Sequence, residues 1–129
     1  MKTPYAAAAP TPSVLLIEDD APTRDAMAEV LSGAGLRVIA SDEGRKALEL
    51  AGFTRPALVV LDLATHGMNG WEFLARRGEV PALAGVPVLV VTASSGEPPS
   101  GTPVLRKPVD PGELLATVRT LLGPPGARA

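Results

Sequence analysis

The sequence predicts an α/β fold, a doubly wound parallel sheet of five strands. Three observations predict it. Between two tails, short apolar runs alternate with helix-like segments along most of the chain. Most of these runs show little polar alternation, as strands buried on both faces do. Several of them also end in a residue able to do chemistry, and ligands of parallel α/β sheets gather beyond the carboxyl ends of the strands.

In chain order, residues 1–12 read as a flexible N-terminal tail, broken by Pro4, Pro10 and Pro12. They lack the compact apolar stretch of a signal peptide. The apolar runs are VLLI at 14–17, RVIA at 37–40, ALVVLDL at 57–63, VPVLVVTA at 86–93 and PVLRK at 103–107. The first helix follows Pro22, with Met27, Val30 and Leu31 on one face and Gly33 and Gly35 at its end. EGRKALELAG predicts a second helix closed by Gly52, and NGWEFLARRG a third, with Trp71 and Leu74 as its packing face. The last helix has the fullest signals. Asp110 is an N-cap, Pro111 stands at the first helical position, and Glu113 completes a capping-box pattern. Its expected buried stripe is Leu114, Leu115, Val118, Leu121 and Leu122, and GPPGARA at 123–129 reads as a C-terminal tail. The domain proper is therefore 13–122.

Composition bounds the function loosely. The chain has 129 residues, 46% of them apolar, which suits one domain with a real core. No apolar stretch approaches the ~20 residues of a membrane span. A net charge of −2 with both signs dispersed argues against a nucleic-acid surface. The absence of cysteine excludes disulfides and thiolate metal sites and makes the cytoplasm the expected compartment. Neither a glycine-rich dinucleotide fingerprint nor a P-loop is present.

The strand ends carry the chemistry. Glu18 and Asp19 close the first strand and Asp62 the third. If these strands are neighbours, three carboxylates converge, and without a counter-charge each would raise the others' pKa. A hard divalent cation resolves the conflict; Mg²⁺ is bound through a few carboxylates, waters and a phosphate. Thr92 closes the fourth strand with a hydroxyl and Lys107 the fifth with an ammonium. A nucleophilic carboxylate, a metal site, a hydroxyl and an ammonium are the requirements of phosphoryl transfer. Asp20, next to the pair, is expected to be solvated or to cap a helix. His66, the only histidine, is expected in an exposed loop, with tuning of phosphoryl hydrolysis as the lesser alternative.

LLIEDD, GLRVIASDEGRKALEL, PALVVLDL, GMNGWEF, VPVLVVTA and RKP occur in this order, each on its expected element. Together they resemble the receiver domain of two-component response regulators across nearly all of residues 13–122. The resemblance implies a flavodoxin-like sheet of order 2-1-3-4-5. It implies Asp62 as phosphoacceptor and Asp19 as a direct Mg²⁺ ligand, with Glu18 acting through water and the backbone carbonyl of Ala64 as a further ligand. Lys107 would pair with phosphoryl oxygens, Thr92 would close on the phosphate, and Ala93 would leave access. The implied partner is a sensor histidine kinase or phosphotransfer protein.

The sequence departs from the family in three places. His66 stands where proline is usual. SSGEPPSG fills the crossover that normally holds the family's fourth helix, and its prolines and glycines forbid a regular one. Residues 94–103 can still span about 33 Å, enough to return along a strand of roughly 17–20 Å. The missing helix is expected to leave apolar sheet surface uncovered and thus to offer a homodimer or docking face. Val104 occupies the position commonly held by an aromatic ring that moves when the switch threonine closes.

The expected function is a phosphoacceptor receiver with no output domain, signalling by protein contact or phosphorelay to an unidentified downstream protein. It is not expected to be an enzyme beyond its own phosphotransfer and dephosphorylation. The alternative is a phosphorylation-independent interaction module on the same scaffold. VVLDLAT also resembles the aspartate loop of haloacid-dehalogenase phosphohydrolases, but that loop needs a second aspartate where Ala64 stands.

Overall fold

The computed structural model describes residues 11–93 and 96–124. Nearly all of the two expected tails, and Ser94 and Ser95 of the crossover, lie outside the described residues. The strands are β1 (Ser13–Ile17), β2 (Arg37–Ser41), β3 (Leu58–Asp62), β4 (Val88–Thr92) and β5 (Val104–Arg106). The helices are α1 (Ala21–Gly33), α2 (Gly44–Thr54), α3 (Gly70–Arg76) and α4 (Pro111–Leu122). All strand pairs are parallel, in the order β2-β1-β3-β4-β5. The predicted flavodoxin-like order holds.

Each central strand is buried on both faces because consecutive side chains point to opposite sides. Val14, Leu16, Leu58, Val60, Leu89 and Val91 pack with Met27 and Leu31 of α1 and Leu114, Val118 and Leu122 of α4. Leu15, Ile17, Val59, Leu61, Val88 and Val90 pack with Ala47 and Ala51 of α2 and Phe73 of α3. In α4, Leu115 and Leu121 of the predicted stripe are only half-buried and flank this core.

The starts of α1 and α4 follow the sequence signals, and Asn69 adds a cap at the start of α3. Asp20, Asn69 and Asp110 each accept a hydrogen bond from the backbone N–H three residues on, satisfying a donor the helix itself leaves open. At α4 only the Asp110 cap forms among the described residues, without the expected return bond to Glu113; the reciprocal capping box forms instead at Asn69 and Glu72. One helix end differs from expectation. Gly52 does not close α2, which runs to Thr54 and ends on Arg55 in the left-handed region at φ 47°. A glycine costs only about 1 kcal/mol inside a helix, and the last turn is closed locally by the Thr54 hydroxyl on the Leu50 carbonyl and the Arg55 N–H on the Ala51 carbonyl.

Trp71 is not the packing residue of α3; it is 49% exposed, and Phe73 takes the core position, fully buried. Leu74 is half-buried and packs against this core as expected, and only Trp71 fails, because a seven-residue helix is too short to show a reliable apolar period.

Among the described residues no helix lies between β4 and β5, as expected from the crossover's prolines and glycines. The expectation of uncovered sheet there is corrected. Val88 and Val90 are 5% and 0% exposed, in a cluster that includes Leu83, with Val80, Val86 and Val104 packed against it. Two short 3₁₀ turns, Arg77–Glu79 and Pro81–Leu83, carry Val80 and Leu83 onto this face and replace much of a helix's cover. The large hydrophobic side chains that remain exposed among the described residues are Phe53 and Trp71, on α2 and α3.

Candidate functional site

The pairing of β1 with β3 decides the site. Ile17 lies opposite Leu61, so Glu18 and Asp19 emerge beside Asp62 at the same edge. Carboxylate oxygens of Glu18, Asp19 and Asp62 all lie within 4.8 Å of one another. Glu18 is 1% exposed and Asp62 5%, while Asp19 is half-buried. Three acids so placed need compensation, and part of it is visible. The Lys107 ammonium donates to Glu18 Oε1 at 2.5 Å and to Asp62 Oδ2 at 3.3 Å.

Burial pushes the Glu18 carboxyl above its ordinary pKa. The hydrogen bond from Lys107 opposes that rise, and neighbouring Asp62 adds to it. Burial by itself would lower Lys107, but its hydrogen bond to Glu18 and the charges of Asp62 and Glu18 outweigh it and raise the ammonium's pKa. Lys107 is therefore held charged against the acids. Its backbone N–H donates to the carbonyl of Thr92 at 2.9 Å, which ties β5 to the end of β4. Thr92 is itself buried, 1% exposed, at that strand end.

Backbone and side-chain contacts fix the surrounding turns. The Ala64 N–H donates to Asp62 Oδ1 at 3.1 Å, and Ala64 is exposed in the turn after β3. Glu18 Oε2 accepts from the Asp20 N–H at 3.2 Å. Asp20 faces solvent and caps α1, as expected of it; the Thr23 hydroxyl and N–H hold its carboxyl below the ordinary aspartate range. Arg24 Nη1 donates to the carbonyls of Glu18, at 2.8 Å, and Asp19, at 3.4 Å, and so pins the acidic turn from α1. On the opposite side, Glu43 accepts from the N–H groups of Lys46 and Met68, joining the start of α2 to the loop before α3. Gly67, at φ 68°, lets that loop approach; a Cβ there would sit 2.3 Å from Glu43 Oε2. Gly70 is similarly constrained, since a Cβ would meet the Leu63 Cα at 2.6 Å and the Asp62 carbonyl at 2.7 Å.

Residues 14–119 match the model of the response regulator receiver domain. The chain belongs to this family. This receiver is 32% identical over 123 residues to an uncharacterised 14.6 kDa protein of Leptolyngbya boryana, with 88% of the chain and 94% of that protein covered. It is 33% identical over 116 residues to the DNA-binding response regulator MtrA of Mycolicibacterium paratuberculosis, covering 84% of the chain. The receiver spans about half the length of that relative, 50%. Its fold superimposes on the chemotaxis response regulator CheY4 of Vibrio cholerae with a TM-score of 0.78 at 25% identity, over 86% of this chain and 98% of CheY4.

Four of the expected side chains converge, those of Glu18, Asp19, Asp62 and Lys107, and Thr92 joins them through its backbone carbonyl on the Lys107 N–H at the adjoining strand end. Sequence reasoning missed two participants. Arg24 had no signal, because its partners are backbone carbonyls. His66 is exposed as expected, but its backbone N–H and Nδ1 both contact Asp19 Oδ2, at 3.2 and 3.1 Å. Asp19 and His66 are 47 positions apart, and only the β1–β3 pairing makes them neighbours.

The donor set suits a hard cation. Carboxylate oxygens at this spacing, without sulfur and with one imidazole at the margin, match Mg²⁺ better than a soft metal. Beside Lys107 an apolar hollow of about 590 Å³ is lined by Pro22, Ala26, Met27, Ala93, Pro108 and Val109 among others. It opens between α1 and the segment after β5, next to the polar cluster. No described helix is long and apolar enough to cross a membrane.

Proposed function

We propose that this receiver accepts a phosphoryl group on Asp62 from a sensor histidine kinase or phosphotransfer protein. The observation that carries the reading is the Lys107 ammonium lying between buried Glu18 and Asp62, with Asp19 beside them. A carboxylate oxygen of Asp62 attacks phosphorus, and the bond from phosphorus to the donor nitrogen or oxygen breaks with its electron pair leaving on the donor. Lys107 exchanges its contact with Asp62 for a phosphoryl oxygen, which offsets charge that the carboxylate alone carried. The buried hydroxyl of Thr92 pairs with a second phosphoryl oxygen. Asp19, Asp62 and the Ala64 carbonyl would hold Mg²⁺ directly and Glu18 would hold it through water. When bound, the ion neutralises the acids and the incoming phosphoryl oxygens.

The receiver acts as phosphoacceptor rather than as an enzyme turning over free substrate, in the cytoplasm, and passes its signal by protein contact or by phosphorelay. The apolar hollow beside Lys107 gives a phosphodonor protein a surface to rest on while its phosphoryl group reaches Asp62. A second reading, a binding module indifferent to phosphorylation, draws support from Val104. This residue is half-buried on β5 and cannot swing a ring between two positions.

Intact mass after incubation with a small acyl phosphate and Mg²⁺ tests the first reading. One added phosphoryl group, absent in Asp62→Asn and in chelator, supports it. An unmodified mass from folded, Mg²⁺-binding protein would instead favour the binding module.

A further inference from the structure

We infer that His66 is a positioning residue for Asp19, holding that carboxylate by one oxygen and thereby setting the cation affinity of the site. The inference rests on the reading of Glu18, Asp19 and Asp62 as a cation site. Among the described residues, both hydrogen bonds to the Asp19 side chain fall on Oδ2, one from the His66 backbone N–H and one from its ring. A carboxylate can only accept, so Nδ1 carries the proton in this contact. The other carboxylate oxygen is left for a cation.

Packing does not place this ring. The His66 side chain is 65% exposed and that of Asp19 26% exposed, so the paired donors themselves hold the two together. A carboxylate ligand that is fixed before the cation arrives loses less rotational freedom on binding it. Outer partners that orient metal ligands act in this way, and losing one typically weakens metal affinity by 10- to 100-fold. The remaining backbone N–H and the ring's exposure put His66 near the lower figure, about 10-fold.

Calorimetric titration of Mg²⁺ into the full chain tests this, at one pH and ionic strength. Four proteins are compared: wild type, His66→Ala, His66→Asn and Asp19→Asn. His66→Ala is expected to bind Mg²⁺ about 10-fold more weakly. His66→Asn, whose amide nitrogen can stand where Nδ1 stands, is expected to stay within about threefold of wild type. Unfolding temperatures in chelator are expected to agree between wild type and the two His66 variants, since the ring packs against no core. Affinity unchanged or increased in His66→Ala, with Asp19→Asn unable to bind, overturns the positioning role and leaves the cation site standing. Equal weakening in His66→Asn and His66→Ala overturns it too, because the donor would then not be what matters. Wild-type Mg²⁺ binding by Asp19→Asn overturns the cation reading itself.

Discussion

Lys107 Nζ lies 2.5 Å from Glu18 Oε1, bringing together residues 89 positions apart. Glu18 is almost wholly buried, so this ammonium is what makes its charge tolerable.

Removing the ammonium is expected to cost most when Glu18 is charged. The pKa of Glu18 is raised in the folded protein, so its folding contribution is greatest below the ordinary glutamate range. It diminishes as pH rises toward the folded value, because the folded state binds more protons in that window. Without Lys107 the rise is steeper. Lys107→Met is expected to destabilise by about 1–3 kcal/mol at neutral pH and by less near pH 4, measured by urea unfolding at both. A loss that is equal at both pH values would mean that Glu18 does not feel Lys107.

Lys107 titrates in the same sense but in the alkaline range. Its pKa is raised on folding, so its contribution is complete below the ordinary lysine range and is lost as pH climbs through the folded value. Wild type is expected to show this alkaline step in thermal unfolding, and Lys107→Met to lack it.

Mg²⁺ should stabilise the fold by mass action, since the acids converge only when β1 and β3 pair. At a hundredfold excess over its dissociation constant the gain is about 2.7 kcal/mol. A rise in melting temperature with Mg²⁺ is expected in wild type and should be absent in Asp19→Asn.

Gly70 sits where backbone meets backbone, with a Cβ position 2.6 Å from the Leu63 Cα. Gly70→Ala is expected to cost about 1–3 kcal/mol, because neither side can yield as a side-chain tip would. Gly78, with nothing within 4 Å of its Cβ position, is the control. Gly78→Ala is expected to change stability by under about 1 kcal/mol. Comparable losses in both would place the cost of Gly70→Ala elsewhere.

Phe73 is the large side chain that anchors α3, and that helix follows the loop beside Asp62. Phe73→Ala is expected to destabilise by about 3–5 kcal/mol and to speed amide exchange in residues 63–70 beyond the rest of the sheet. Uniform acceleration would show that α3 does not act as a local clamp.

Much of this receiver was legible in its residues. The unbroken apolar runs require strands covered on both faces, and the caps at Asp20 and Asp110 mark where helices begin. The prolines and glycines after Thr92 deny a helix to the crossover. These are local constraints, acting through backbone sterics and short-range hydrogen bonds, and local sequence determines them. The carboxylates, Thr92 and Lys107 could be named because each ends a strand. Tertiary structure decided the rest. Leu83, from a 3₁₀ turn, and Val80, between the two turns, cover Val88 and Val90, so the expected bare face is filled. Phe73 displaces Trp71 from the core, and Arg24 and His66 close on the acidic turn from α1 and from the loop after β3. Such contacts join groups far apart in the chain, and their geometry follows from strand order and register, which neither partner's local sequence encodes.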